Sequence, residues 1–441
     1  MLLVYTPKIT SRILYIFNHI FNRMISFEIN VTNSIEDFVA HNGPKFSYST
    51  KPLGNELFFF CCPFLIDHGI QNISINVSSK KKYPIFFSVT KKSAMEFDVF
   101  AASFYLISRY EEYLPHLKDH KGRFKFKESL AFKNSFLDKP IVDLWINDLK
   151  IIINKKFKNT IKDEFSNKRI IPILEVPEAY LFSNKSLIMS VIQSLTLIWN
   201  LKFKNFINQI YVLLRFRKDP YLEYDFIINE LKKYQIDLLS FFRFSKNIKD
   251  SNSISIFNSS FRLLIKNISD KVSVSLLVSG FAQKELIALK NEMNNLTNLI
   301  HRNIRKVRLY DGILSISEIY PMLIQNEVTE DYSMGYSDKI GYRASTSVPF
   351  YFYDLVNEVQ SPLKIFPVVI TENSLREFSN EKAFDIMKKY HLKSPLKNSV
   401  FSFAFSPSLL SKSPDNLHWH SSFLEYLSGY ENLKQNKNNF F

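Results

Sequence analysis

The chain has 441 residues, 46% of them hydrophobic, and carries a formal net charge of +15. At roughly 150 residues per domain this length predicts two or three domains. With 17 prolines, only 9 glycines and neither a GxGxxG nor a P-loop pattern, it excludes phosphate-cradling loops, propellers and solenoids. The basic residues are mostly Lys in short runs such as Lys80-Lys81-Lys82 and Lys91-Lys92, which read as solvated faces with no nucleic-acid partner.

The opening residues MLLVYTPKIT have neither a charged leader nor a long apolar stretch, and predict a strand over 2–5 in place of an export signal. Residues 11–24 have helical spacing with Ser11 as the cap, and 26–31 read as a second strand. Cys61 and Cys62 are adjacent in an apolar run and cannot bridge each other without strain, which fits a reduced, cytoplasmic protein. Helices follow over 98–114, with Asp98 at its start and Pro115 past its end, and over 140–157. The polar stretch 158–168 predicts the end of an N-terminal α/β domain spanning 1–168.

From residue 169 short apolar strands alternate with helical segments. Strands are predicted over 170–176, 238–244, 272–278, 306–310, 327–331, 364–370 and 400–405, with helices over 221–234, 260–268, 283–300 and 380–390. Such alternation implies parallel strands with right-handed crossovers, and seven such units would close into a barrel. Chemistry then belongs at the C-terminal strand ends. Those ends carry acids and hydroxyls, among them Ser245, Ser279 and Ser406, and no histidine; none occurs between His120 and His301. Segment 186–216 is apolar but interrupted by Gln193, Asn200, Lys202, Lys204, Asn205 and Gln209, so it is not a spanning helix. It predicts a helix or helix pair that buries its stripe in its own domain, with weak membrane-surface contact through 186–217 as the alternative. A disordered polar tail is predicted over 431–441.

The block TEDYSMGYSDKIGYRASTSVPFYFYDL at 329–355, together with FDVFAASFYLISRYEEYLPHLKDHKGRF and ESLAFKNSFLDKPIVDLWI, resembles Bacteroidetes-type members of the polysaccharide deacetylase family. In these an uncharacterised N-terminal α/β domain precedes a deacetylase-like barrel. The resemblance covers nearly the whole chain. It implies an α/β fold with a distorted (β/α)7 barrel over 169–430. In active members an aspartate and histidines hold a divalent metal, whose activated water attacks an N-acetyl carbonyl.

The family motifs are altered here. T-I-D-V-D-N-A-Y reads ILEVPEAY, placing Glu175 and Pro177 at the aspartates; G-I-H-P-S-Y reads SVSLLV, placing Ser275 at a histidine. R-Q-H-F reads RLYD, keeping Arg308 and placing Tyr310 at the histidine, and S-L-W-H-N reads SFAFS with Phe405 at its histidine. With every imidazole gone, the basis for a histidine-coordinated metal is gone too. The expectation is a degenerate member: a pseudoenzyme without a metal cofactor, binding or scaffolding carbohydrate or glycan-pathway proteins. The alternative is an active deacetylase with a carboxylate-rich site.

The candidate residues follow from this reading. Glu175, Tyr310 and Asp331 are remnants of the site, and Glu178, Arg308, Asp311, Glu330, Tyr336, Arg343 and Glu372 are ligand-binding candidates. Asp331 and Arg343 are expected to brace the loop as a bidentate pair, with Gly335 and Gly341 permitting turns around Tyr336. Residues 350–353 read as a strand whose aromatics fill the core. If Glu175, Glu178, Asp311, Glu330 and Glu372 converged they would bind a hard cation through oxygen, or be locked by Arg308 and Arg343. His418 and His420, at i and i+2, would share one strand face and read as a surface feature sooner than as a ligand pair.

Overall fold

The computed structural model describes the chain except residues 80–81, 90–91, 159–160, 162–167, 245–253, 379, 412–415 and 439–441. Lys80, Lys81, Lys91, Ser245 and most of the expected 158–168 boundary therefore lie outside the described residues.

The first elements are β1 (Leu2–Tyr5), α1 (Ser11–Phe17) running into a π-helical segment Asn18–Met24, β2 (Ile29–Thr32), α2 (Ile35–Ala40), β3 (Lys45–Ser49) and β4 (Leu57–Phe60). They are followed by α3 (Val99–Ile107), α4 (Leu130–Lys133), α5 (Ile141–Lys156), β5 (Arg169–Val176), α6 (Leu187–Trp199) and α7 (Phe203–Leu213). Next come α8 (Tyr224–Lys233), β6 (Leu239–Phe242), α9 (Ser259–Ser269), β7 (Ser273–Val278), α10 (Leu286–Ile300), β8 (Lys306–Leu309) and α11 (Ile316–Gln325). The chain continues through β9 (Glu330–Met334), β10 (Phe350–Asp354), β11 (Val359–Pro367) and β12 (Ile370–Thr371). It closes with α12 (Glu372–Leu375), α13 (Asn380–His391), β13 (Val400–Phe405) and α14 (Leu417–Asn438).

The fold is mixed α/β and divides into two compact units, neither of them one continuous stretch. The first comprises residues 1–169, 312–369 and 389–401; the second comprises 170–311, 370–388 and 402–441.

The first unit holds a parallel four-stranded sheet of order β2-β1-β3-β4. Phe46 of β3 stacks on Phe100 of α3 at 6.0 Å and meets Phe59 of β4 edge-on at 5.1 Å, so aromatic rings close the layer between sheet and helix. α1 begins at Thr10, whose hydroxyl accepts the Ile13 N–H; the cap is one residue before Ser11. The same unit carries β10-β11-β9, in which β11 pairs with β9 in parallel but β10 and β11 form an antiparallel hairpin. Phe350, Phe352 and Tyr353 of β10 are buried, Tyr353 against Tyr15 at 4.9 Å and Phe352 against Tyr320 at 4.9 Å.

In the second unit the strand order is β8-β7-β6-β5-β13-β12. The pairs β5 with β6, β6 with β7, β7 with β8, and β12 with β13 are all parallel. IIPIL in β5 and LLV in β7 are almost wholly buried, as strands covered on both faces require. α6 and α7 form a helical hairpin within the β5 to β6 crossover. The segment with His418 and His420 is helix α14 and not a strand, and helical positions two apart do not face the same way. His420 stacks on Phe226 at 4.1 Å, while the His418 side chain lies outside the described residues. α14 runs to Asn438, through much of the segment expected as a disordered tail. Among the described residues no helix is long and apolar enough to cross a membrane.

Candidate functional site

In the first unit Asp98 caps α3 by accepting the N–H groups of Phe100 and Ala101. The chain leaves that helix through Arg109 in the left-handed region (φ 55°) and turns immediately through residues 110–112. The sharp exit puts Arg109, Glu111 and Glu112 together in the interior. Glu112 bridges two guanidinium groups. Its Oε1 accepts from Arg109 Nε and from Arg343 Nε, each at 2.8 Å, and its Oε2 accepts from Arg343 Nη2 at 2.6 Å. Arg109 Nη2 lies 2.8 Å from Glu111 Oε1 without a directed hydrogen bond, and Arg109 Nη1 donates to the Arg343 carbonyl.

Burial alone would favour the neutral Glu112 carboxyl, but Arg343 and Arg109 overcome that and hold it down at about 2. Burial likewise opposes charge on Arg109 and Arg343, and their carboxylate partners outweigh it, raising both. Glu112 thus stays ionised between Arg109 and Arg343, and these three charges form a closed set.

A cleft of about 370 Å³ opens on this cluster, lined by Arg343, Tyr336, Ser337, Arg123, Phe124 and Phe126. With Arg343 paired to Glu112 and Arg123 to Asp119, the rest of the charged lining is Lys125 and Lys127 against Asp338, a small positive excess that favours an anion. Asp119 shapes one wall: its Oδ1 accepts the N–H groups of Lys121 and Arg123 at 2.9 Å and its Oδ2 accepts Arg123 Nε at 2.7 Å. Arg123 Nη1 donates to the Ser337 hydroxyl. Gly335 is required on the other wall, because a Cβ there would meet the Val368 carbonyl oxygen at 2.1 Å. At Gly341 a Cβ would lie 2.8 Å from the Leu137 carbonyl oxygen, so both glycines serve close backbone approach.

Tyr336 is the most telling wall residue. It is only 4% exposed, its hydroxyl has no hydrogen-bond partner, and burial pushes the phenol up to about 12. An unsatisfied buried hydroxyl costs about 1–3 kcal/mol. Arg343 sits 5.4 Å from the Tyr336 ring centre and Phe126 meets that ring edge-on at 6.2 Å. Ring surfaces, a positive rim and one orphaned donor equip the cleft to bind a polar anionic ligand that also presents apolar faces.

Of the residues singled out from sequence, Glu330, Asp331, Tyr336 and Arg343 belong to the first unit, and Glu175, Glu178, Arg308, Tyr310, Asp311 and Glu372 to the second. The expected brace between Asp331 and Arg343 is replaced: Arg343 takes Glu112, while Asp331 accepts from the Tyr320 hydroxyl at 3.0 Å and from the Ser333 hydroxyl. Glu330 accepts from the Tyr332 hydroxyl at 2.6 Å.

In the second unit Glu175 is paired with Arg308, and Glu178 lies 3.5 Å from Lys185. Glu372 is held by Arg376 at 2.7 Å and by the Ser406 N–H at 2.8 Å. Asp311 sits in the left-handed region. Each of these glutamates is occupied by a local donor, and no group of three His, Cys, Asp or Glu that could hold a metal occurs among the described residues. At the positions where the resemblance calls for ligands, Ser275 donates to the Lys306 carbonyl, Tyr310 lies under the Arg243 guanidinium at 4.1 Å, and Phe405 is buried against Phe423 at 5.6 Å.

Sequence reasoning missed Arg109, Glu111, Glu112, Asp119 and Arg123. Their signal was present in the segment RYEEYLPHLKDHKGRF, where two adjacent acids follow an almost wholly apolar helix. Acids buried in such a place need cations, and Arg343 of the 329–355 block was one.

Residues 2–158 match DUF7033, a family of unknown function. No curated protein matches the chain. Among solved structures, a protein described as a polysaccharide deacetylase from Mycobacterium smegmatis is similar at 11% identity and a TM-score of 0.35, covering 61% of this chain and 86% of its own. A second, from Bordetella bronchiseptica and described as a polysaccharide deacetylase involved in O-antigen biosynthesis, shares 10% identity at a TM-score of 0.30, covering 58% of this chain and 90% of its own. The 4-alpha-glucanotransferase from Thermococcus litoralis shares 13% identity at a TM-score of 0.37, covering 60% of this chain and 38% of its own. At these scores the likenesses carry no argument about activity.

Proposed function

We propose that this protein is a non-catalytic relative of the polysaccharide deacetylases, built on a deacetylase-like barrel, that binds an anionic carbohydrate in the Arg123–Tyr336 cleft and serves as a binding or scaffold protein in surface-polysaccharide metabolism. The observation that carries the non-catalytic part is chemical. Pro177, Ser275 and Phe405 stand where the resembled family keeps an aspartate and histidines, and Ser275 and Phe405 are committed to a backbone hydrogen bond and to an aromatic contact. A divalent metal does not fit such a donor set.

The binding part rests on the cleft, because two of the three blocks that carry the resemblance contribute to it: 97–124 supplies Asp119, Arg123 and Phe124, and 329–355 supplies Tyr336, Ser337 and Arg343. Sugar hydroxyls and a carboxylate would meet the basic rim and the Tyr336 hydroxyl, and the faces of a pyranose would lie on the rings. The test is calorimetric titration with a uronic-acid oligosaccharide against its neutral counterpart. Tyr336→Phe should weaken the acidic ligand by about three- to tenfold, the worth of one hydrogen bond, and Lys127→Glu should abolish the preference for acid over neutral. Equal binding by wild type and both variants would sink the assignment of this cleft.

A further inference from the structure

The helical hairpin α6–α7 of the second unit is turned inside out. Its inward contacts are polar: Ser194 Oγ lies 3.0 Å from Gln209 Oε1, Gln209 Nε2 donates to the Ser190 carbonyl at 3.0 Å, and Gln193 donates to the Leu181 carbonyl at 3.1 Å. Ser190 and Gln209 are buried, whereas Leu187, Ile188, Leu195 and Trp199 of α6 and Phe203 and Ile207 of α7 are exposed, Leu187 at 87% and Trp199 at 88%. The exposed positions of α6 recur at helical spacing, so they form one stripe and not scattered residues. Burial of that stripe within its own domain, the sequence expectation, is therefore overturned: an ordinary amphipathic helix buries its apolar face, whereas the buried residues of this hairpin are Ser190, Gln209 and Val212. Asp219 fixes the base of the hairpin by accepting the N–H groups of Leu181, Phe182 and Ser183 at 2.8 to 2.9 Å.

The charges around the stripe identify what covers it. Between Glu178 and Asp219 there is no acidic residue, while Lys185, Lys202, Lys204, Arg215, Arg217 and Lys218 are all basic. Lys202 and Lys204 flank Phe203 at the hairpin tip, beside the exposed Trp199 and Leu201. Apolar and aromatic residues beside Lys202 and Lys204, on two helices that contain no acid, match an anionic lipid surface. α6 has 13 residues, about 20 Å at 1.5 Å per residue, too short for the roughly 30 Å hydrocarbon layer. We infer that the α6–α7 hairpin docks the second unit onto an anionic membrane surface, lying in the interface with its stripe among the acyl chains. This inference does not depend on the carbohydrate cleft, which belongs to the first unit.

The experiment uses the full chain and vesicles of phosphatidylglycerol with phosphatidylcholine, against phosphatidylcholine alone. Of the three tryptophans Trp145 and Trp419 are buried, so a blue shift of emission on adding vesicles reports Trp199. The expected result is co-sedimentation and a blue shift with the anionic vesicles, both reduced by salt. Trp199→Phe should remove the shift and keep the binding. Each Lys near an anionic surface is worth about fivefold in partitioning, so Lys202→Ala with Lys204→Ala should lose about 25-fold. Both lysines are exposed, which keeps the fold out of the readout. Failure to bind anionic vesicles at low salt would overturn the inference. So would lipid-free self-association, seen by ultracentrifugation and abolished by Trp199→Glu with Leu201→Glu, since it would assign the stripe to a second copy of the chain.

Discussion

Replacing Glu112 by Gln should be among the most damaging single substitutions in the first unit. Gln preserves the size of the side chain but leaves the Arg109 and Arg343 guanidinium groups facing each other in the interior without their shared anion. A carboxyl held at about 2 when folded, against about 4.3 unfolded, contributes about 3 kcal/mol at neutral pH. Breaking a buried ion pair from one side costs roughly 3–5 kcal/mol, so the two routes agree. The assay is urea unfolding in a Trp199→Phe, Trp419→Phe background, where the remaining Trp145, buried in the first unit, reports that unit. Because the folded value is depressed, the Glu112 contribution is complete above the unfolded value and is lost as pH falls from about 4.3 toward about 2. The Glu112→Gln protein should lack that part of the acid dependence. A loss below about 1 kcal/mol, with an unchanged acid profile, would refute the claim that these charges form a closed set.

Other substitutions probe the same framework. Gly335→Ala should destabilise the first unit by roughly 1–3 kcal/mol or more, read by the Trp145 reporter, because the new methyl would collide with the Val368 carbonyl. Asp98→Ala should cost at least the upper end of the roughly 0.5–2 kcal/mol of an ordinary helix cap, since the carboxylate also accepts the Cys62 N–H and the Tyr48 hydroxyl at 2.7 Å. Glu175→Ala should lower the thermal midpoint of the second unit by removing one half of the Glu175–Arg308 ion pair. On the non-catalytic reading it changes no acetyl release.

The strands and helices that the sequence announces clearly are those with a local cause. Asp98 before an apolar run gave α3, Pro140 gave the start of α5, and VFSFAF, apolar but for Ser402, gave β13. β3 and β4 went unread because both are short: KFSYS alternates over only five residues, and LFFF does not alternate at all. The partner of Arg343 was out of reach for another reason: Glu112 lies 231 positions away, and no periodicity reports such a pairing. The left-handed exit at Arg109 is similarly invisible, since no glycine marks it. For α6–α7 the pattern reveals that the helices are two-faced. Which face turns inward is decided by the Ser190, Ser194 and Gln209 hydrogen bonds, and periodicity is blind to that choice.

The central claim is that the chemistry of the resembled family is absent while a carbohydrate-binding surface is kept. Its most direct test is an acetyl-release assay on acetylated amino-sugar oligomers, with the purified full chain equilibrated with zinc and its bound metal measured in the same sample. The predicted result is no stoichiometric zinc and no acetate above the protein-free control. Stoichiometric zinc together with turnover would contradict the account.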